Sequence, residues 1–286
     1  MYIDLHIHTT ASDGSLTPSQ VVCYAKEKGL KVIAITDHDT IHGNEEAIKE
    51  GISKGIEVIP GVEISVDYSP GTMHMLGYFI TTEDPILNEK LTLLQDSRSD
   101  RNPRIIEKLN KLGLSLTYDE VVQVSGGGQV GRPHMAQVLM EKGYTKSIKE
   151  AFDKYLGKGA PAYLDKFRLS AVDAITMITD AGGIPVLAHP FTLHLKSSDE
   201  LDALVRNLVN QGLQGLEVYY SEHNEQTTSS YKLMAKRYNL AITGGSDFHG
   251  KNIKGIDLGT GRGNLKIPYT VFENLKTFWE EKRKRC

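Results

Sequence analysis

The sequence predicts an α/β fold built largely on parallel strands, and three observations carry that prediction. β-rich runs alternate with helical patterns toward both ends of the chain, the helices carry explicit start and stop signals, and one early strand is apolar throughout, as strands covered on both faces are. Residues 2–7 read as the first strand. Thr17-Pro-Ser-Gln20 then supplies an N-cap, a proline at the first helical position and a capping-box glutamine, and Gly29 stops the helix. Val32-Ile-Ala-Ile-Thr36 has buried-strand length, a helix over 45–54 ends at Gly55, and 57–62 and 72–79 are further strands. After Ser170, which opens a helix, come a strand over 184–188, a helix over 201–211, a strand over 215–219, a helix over 231–238 and a strand over 241–243. Residues 97–164 lack strong strand runs and are predicted as a helical insertion, with helices over 104–111, 134–142 and 148–156 and a flexible Gly126-Gly-Gly128 loop. The expected organisation is one barrel or doubly wound sheet of residues 1–96 and 165–286, interrupted by that cap.

The composition narrows what such a fold can do. With 286 residues, 40% hydrophobic and 24% charged, the chain has ordinary globular character, which excludes disorder, collagen and coiled coil. It is long enough to bury a large core without disulfides. The 33 basic against 36 acidic residues give a formal charge of −3, so there is no broad attraction for duplex DNA or anionic lipid, and phosphate recognition must be local. Cys23 and Cys286 lie far apart in sequence, which favours a reduced cytoplasm. The opening residues lack the basic region of a signal peptide, and no apolar run approaches the roughly 18 residues of a membrane span. A soluble cytoplasmic protein with no obligatory protein partner is expected.

Ten histidines are present, and their placement carries more information than their number. His6 and His8, two apart in a predicted strand, share one face and can converge on one ion. Other strands end in Thr36-Asp37-His38-Asp39, in Gly61-Val62-Glu63, in Ala188-His189-Pro190 and in Gly244-Gly-Ser-Asp247-Phe-His249. The C-terminal strand ends of parallel α/β folds form the active face, so these residues are expected on one rim. His74 alternates into a strand among apolar neighbours, where an unpaired imidazole is costly to bury and a metal would account for it. His42, His194 and His223 have no such placement and are expected to be ordinary loop or surface histidines; His134, beside an arginine, is a candidate substrate contact.

The segments Asp4-Leu-His6-Ile-His8-Thr-Thr-Ala-Ser-Asp13-Gly, Ala34-Ile-Thr-Asp-His38-Asp, Pro60-Gly-Val-Glu63-Ile-Ser, His74-Met-Leu-Gly-Tyr, Leu187-Ala-His189-Pro and Gly244-Gly-Ser-Asp247-Phe-His249 resemble, in order, the polymerase and histidinol phosphatase (PHP) family of metal-dependent phosphoesterases. The resemblance implies a distorted barrel of seven β/α units with a metal cluster at the strand ends. It implies nine ligands: His6, His8, Glu63 and Asp247 on a first ion, Glu63 bridging to a second held by His74 and His189, and Asp13, His38 and His249 on a third. Asp13 stands where several family members have histidine, which makes the third site harder and more anionic. With nitrogen and oxygen donors and no thiolate, the expected cofactors are two to three manganese, iron or zinc ions. Glu63, Asp247 and His189 are the expected catalytic residues.

Two ions bridged by one carboxylate can share a water, lower its pKa and present hydroxide in line with phosphorus. The expected function is therefore phosphoester hydrolysis by an enzyme without a polymerase segment. Gly131-Arg-Pro-His134 and Arg101-Asn-Pro-Arg104 are similar to the branch that acts on nucleoside 3′,5′-bisphosphates or short RNA ends. Arg132, Arg101 and Arg104 are the candidate phosphate clamps, because guanidinium matches phosphate in a bidentate fork. Tyr219, Tyr220 and Phe248 are candidates to stack on a base. The expected partner is a small nucleotide or a short single-stranded RNA. The alternatives are a 5′-3′ exoribonuclease, a sugar or amino-alcohol phosphate monoesterase, and, in a different class, a non-catalytic metal-stabilised binding module. The last is disfavoured because a structural site needs no open multi-metal arrangement.

Overall fold

The computed structural model describes residues 1–125, 130–165 and 167–284; the glycine run 126–128 and Cys286 lie outside the described residues. The chain divides into two units, Met1–Glu89 with Arg168–Cys286, and Lys90–Phe167. The first carries a seven-stranded sheet in sequence order: β1 (Tyr2–Asp4), β2 (Leu30–Ile35), β3 (Glu57–Val66), β4 (Met73–Tyr78), β5 (Ile184–Leu187), β6 (Gly215–Tyr220) and β7 (Ala241–Gly245). Leu5 N–H donates to the Gly244 carbonyl at 3.1 Å, which brings the first strand back to the last and curls the sheet into a barrel. A Cβ at Gly245 would lie 2.1 Å from His6 Cβ, so that approach requires glycine there.

Helices α1 (Pro18–Glu27), α2 (His42–Lys54), α8 (Ser198–Asn210) and α9 (Glu225–Arg237) connect parallel neighbours, and α7 (Ala171–Asp180), capped by Ser170, leads into β5. The predicted signals act as read: Thr17 and Gln20 form a reciprocal capping box, Pro18 is the first helical residue, and Gly55 takes the left-handed conformation after α2 at φ 68°. Two differences from the sequence reading stand out. β4 runs antiparallel to both β3 and β5, because the connection from Val66 to Met73 is too short for the crossover that a parallel pair needs. The helix α10 (Tyr269–Arg283) was not predicted; it buries Val271, Phe272 and Leu275 against barrel residues including Ile3 and Ile267.

Core residues Ile3, Leu5, Val32, Ala34, Leu76, Tyr78 and Val186 fill the barrel, and Ile7, Ile33 and Ile35 pack with Val21, Val22 and Ala47 of α1 and α2. The second unit has a core of its own, including Ile105, Leu109, Val121, Met135, Leu139 and Leu156. Its helices are the C-terminal part of α3 (Pro85–Lys111), α4 (Tyr118–Val124), α5 (Arg132–Glu141) and α6 (Ile148–Ala151), the last continuing as a wider turn through Leu156. The predicted helix over 104–111 is the end of α3, which runs on through Pro103. Among the described residues, no helix is long and apolar enough to cross a membrane.

Candidate metal centre

The barrel brings all nine candidate ligands together. His6 and His8 lie just past β1 and are kept extended against the end of β7, where Asp247 N–H donates to the His6 carbonyl at 2.9 Å and His8 N–H to the Phe248 carbonyl at 2.9 Å. Their rings are 5.3 Å apart. In the β3–β4 pair Glu63 faces Leu76 and Ser65 faces His74, so Glu63 and His74 share one sheet face a diagonal apart. His189 and Asp247 follow β5 and β7 at φ 20° and 59°, and Asp39 after β2 is at 52°. Positive φ in non-glycine residues is costly and concentrates at functional sites.

Glu63 is fully buried, and its two oxygens address different groups. Oε2 lies 3.4, 3.2 and 2.9 Å from His6 Nε2, His8 Nε2 and His38 Nδ1, while Oε1 lies 2.8 and 2.9 Å from His74 Nδ1 and His189 Nε2. Asp247 Oδ1 completes the first group at 3.4 Å from His6 Nε2 and 3.1 Å from His8 Nε2. Asp13 Oδ1 lies 3.4 Å from His249 Nε2 and 3.6 Å from His8 Nδ1, and its Oδ2 lies 3.9 Å from His38 Nε2. His8 therefore faces both the first group and the Asp13 group.

Four sets of three or four donor atoms within 4.8 Å of one another result: His6, His8 and Asp247; His6, Glu63 and His189; His38, Glu63 and His74; and His8, Asp13, His38 and His249. His6 Nε2, both ring nitrogens of His8, His38 Nδ1 and Glu63 Oε2 are buried yet make no hydrogen bond. Leaving such groups unpaired in a protein interior is expensive. Divalent cations fit this donor set, since they satisfy several lone pairs at once and mixed imidazole and carboxylate donors suit transition ions.

The electrostatics fit the same occupant. Burial would raise the Glu63 carboxyl, but the charges of His38, His74 and His6 hold it well below the usual range. Asp247 is held down against burial by His6 and His249, and Asp13 by His249 and His38. Burial opposes charge on His8 as well, yet the close carboxylates of Asp247 and Glu63 push it up to about 10. His74 goes the other way, to about 4, because burial outweighs Glu63.

Several buried groups to which the sequence reading gave no such role hold this cluster in place. The Asp37 carboxylate accepts from Thr9 N–H, Thr9 Oγ1 and Ser12 Oγ at 2.6–2.7 Å, anchoring the loop between His8 and Asp13. Asp39 Oδ1 accepts from Ser65 N–H at 2.7 Å, and Tyr220 donates to Asp247 Oδ2 at 3.0 Å. Glu217 Oε1 lies 2.9 Å from His6 Nδ1, and its Oε2 accepts from His189 N–H at 2.7 Å. A lone carboxylate inside the run Gly215-Leu-Glu217-Val-Tyr-Tyr was the available signal for Glu217.

The other candidates are not among these donor groups. His42 and His194 are exposed, and buried His223 donates from Nδ1 to the Val218 carbonyl at 3.0 Å. Phe248 is core packing near Tyr24, Tyr220 is nearly buried, and Tyr219 lies beneath Lys232 Nζ. In the second unit Arg132 donates to the Leu156 carbonyl at 2.9 Å and lies 5.0 Å from the Tyr163 ring centroid. His134 Nδ1 accepts from Gly131 N–H at 3.1 Å, Arg101 is buried with a bond to Asn102 Oδ1, and Arg104 is exposed.

The chain is similar to known proteins. The PHP domain family matches residues 4–165. The chain is 32% identical over 258 residues to the 3′,5′-nucleoside bisphosphate phosphatase of Chromobacterium violaceum, covering 90% of each protein. It is 33% identical over 282 residues to the 5′-3′ exoribonuclease Rnm of Escherichia coli, covering 97% of this chain and 94% of that one. A solved structure from Chromobacterium violaceum, described as an amidohydrolase with bound sulfate and no metal, matches with a TM-score of 0.85 at 30% identity over 97% of each chain. With a family match over more than half its length and near-full-length relatives above 30% identity, the chain belongs to the PHP domain family of phosphoesterases.

Proposed function

We propose that this protein removes a phosphate from nucleoside 3′,5′-bisphosphates with the help of two to three divalent ions. His6, His8, Glu63 and Asp247 would hold the first, Glu63, His74 and His189 the second, and Asp13, His38 and His249 the third, with manganese, iron or zinc as the fitting metals. The observation that carries the reading is the division of Glu63 between two histidine groups, beside buried ring nitrogens that make no hydrogen bond. When bound, such ions offset charge on phosphoryl oxygens and lower the pKa of water.

The chain's own contribution is orientation and charge. Glu63 keeps both oxygens ionised toward the two groups, Asp37 and Glu217 fix the segments that carry the histidines, and Tyr220 holds one oxygen of Asp247 so that the other faces His6 and His8. The substrate class is supported by the likeness to the Chromobacterium violaceum bisphosphate phosphatase and by the bound sulfate, a phosphate-like anion, in the similar solved structure. Arg132, in Gly131-Arg-Pro-His134, is our proposed contact for a phosphate that is not cleaved. Hydrolysis of short RNA from its 5′ end is a second reading, favoured by the nearly full-length match to the Escherichia coli exoribonuclease.

Phosphate release with added Mn²⁺, compared among adenosine 3′,5′-bisphosphate, a small monoester and a 5′-phosphorylated oligoribonucleotide, tests the proposal. The highest kcat/KM is expected on the bisphosphate. Preference for the oligonucleotide selects the second reading, and preference for the small monoester refutes both.

A further inference from the structure

We infer that Glu217 is a positioning residue that selects which nitrogen of His6 faces the metal centre and, with the same carboxylate, holds the backbone that carries His189. The inference rests on the proposed metal reading of the site. Glu217 lies in β6, has no exposed surface, and is not among the nine candidate ligands. An ionised carboxylate has acceptors only. The proton in its 2.9 Å contact with His6 must therefore be on Nδ1. That leaves His6 Nε2 as the nitrogen with a lone pair to give, and this is the atom that lies 3.4 Å from both Glu63 Oε2 and Asp247 Oδ1 and makes no hydrogen bond of its own.

The second oxygen acts on a different group. Glu217 Oε2 accepts the His189 N–H at 2.7 Å, at a residue whose φ of 20° and ψ of 71° lie outside the ordinary regions. From that backbone the His189 ring reaches Glu63 Oε1 at 2.9 Å through Nε2 and contacts Thr192 Oγ1 at 2.9 Å through Nδ1. One carboxylate thus supports a histidine on each side of Glu63. Asp4, a second buried acid of the barrel, accepts from the backbone N–H groups of His6, Ser246 and Gly259 and from Ser246 Oγ but pairs with no ring nitrogen, so burial inside the barrel does not by itself set a carboxylate against an imidazole.

Glu217→Gln separates orientation from bulk, because an amide has one acceptor oxygen where the carboxylate has two. If its NH₂ faces His6, Nδ1 must become the acceptor and Nε2 the protonated nitrogen; if it faces His189, two donors meet. Mn²⁺ affinity, measured by titration of metal-free protein, is expected to fall about 10- to 100-fold in Glu217→Gln, the range usual for partners of metal-binding histidines, and the thermal shift on adding Mn²⁺ to shrink with it. Unchanged affinity in a folded variant overturns the inference while leaving the metal reading intact. Failure of the wild-type protein to bind Mn²⁺ overturns the metal reading itself. Should the variant not fold, ¹⁵N NMR of the Zn²⁺-loaded wild-type protein decides the matter: a proton on His6 Nδ1 is the expected result, and a proton on Nε2 refutes the inference.

Discussion

In the barrel unit, six histidine rings and three carboxylates meet, most from just past strand ends and Glu63 and His74 from within β3 and β4, with ring nitrogens of His6, His8 and His38 buried and without hydrogen bonds. In the insertion unit, buried or half-buried polar side chains contact that unit's own backbone: Arg132 donates to the Leu156 carbonyl, Asn102 to the Val130 carbonyl, and the His134 ring accepts from Gly131 N–H. A buried histidine is therefore not in itself a functional signal. His134 caps its own helix and His223 donates to a nearby carbonyl, whereas the cluster histidines gather around carboxylates in a way that internal hydrogen bonding does not complete.

The comparison breaks first at Glu63. Glu63→Gln is expected to abolish nearly all phosphoesterase activity while leaving the protein folded, because a neutral amide cannot balance charge on both sides. Retention of more than about a tenth of the wild-type rate, a loss under about 1.4 kcal/mol of transition-state stabilisation, overturns the bridging role. The next largest effect concerns pH. In the metal-free protein His8 is pushed up to about 10, so it carries a proton at neutral pH that a metal ion must displace. Raising the pH therefore favours binding, and one displaced proton corresponds to about tenfold in affinity per pH unit. Mn²⁺ affinity should rise at least about 100-fold from pH 6 to pH 8, since against burial the charges of Glu217 and Glu63 hold His6 well above its usual range too; an affinity that is flat or falls over this interval contradicts the charge assignment.

In the insertion, Arg132→Ala is expected to lower kcat/KM for a nucleoside bisphosphate by about one to two orders of magnitude, since a charge-assisted contact is worth roughly 1.5–3 kcal/mol. A small monoester should be cleaved nearly as before. Equal losses on both substrates would show that Arg132 serves only its own unit, through Leu156 and Tyr163. The smallest effect is expected at exposed His42, where His42→Ala should leave activity within about twofold, as is usual for surface positions away from caps, cores and sites; a loss comparable to that of Glu63→Gln would mean that the ligand set is wrong.

Much of this arrangement was legible in the sequence because strand ends are marked by composition. Apolar runs that stop at Asp37-His38, His189 and Asp247 place chemistry at one end of the sheet before any distance is known, whereas Glu63, read as a strand end, lies inside β3, which runs on to Val66. The direction of β4 was not legible, since alternation is the same in parallel and antiparallel strands and only the short link before Met73 hinted at the reversal. The helix α10 was missed although Val271, Phe272 and Leu275 recur at helical spacing, because its charged C-terminal turns dilute that pattern. Glu217 escaped notice because the apolar residues around it read simply as a strand, and only the fold shows that it meets His6 across 211 residues of sequence. Spacing likewise could not show that His8 faces two groups, as this depends on the loop that Asp37 holds against Thr9 and Ser12.

We propose the Glu63-divided cluster of histidines and carboxylates as a multi-ion phosphoesterase centre. Metal content and phosphate release, measured on the same wild-type samples before chelation, after chelation and after reconstitution with Mn²⁺, test it most directly. We expect about two to three ions per chain, as a shared-water mechanism requires at least two, with release of phosphate from adenosine 3′,5′-bisphosphate lost on chelation and restored with the ions. Undiminished phosphate release from protein stripped of metal would contradict the account.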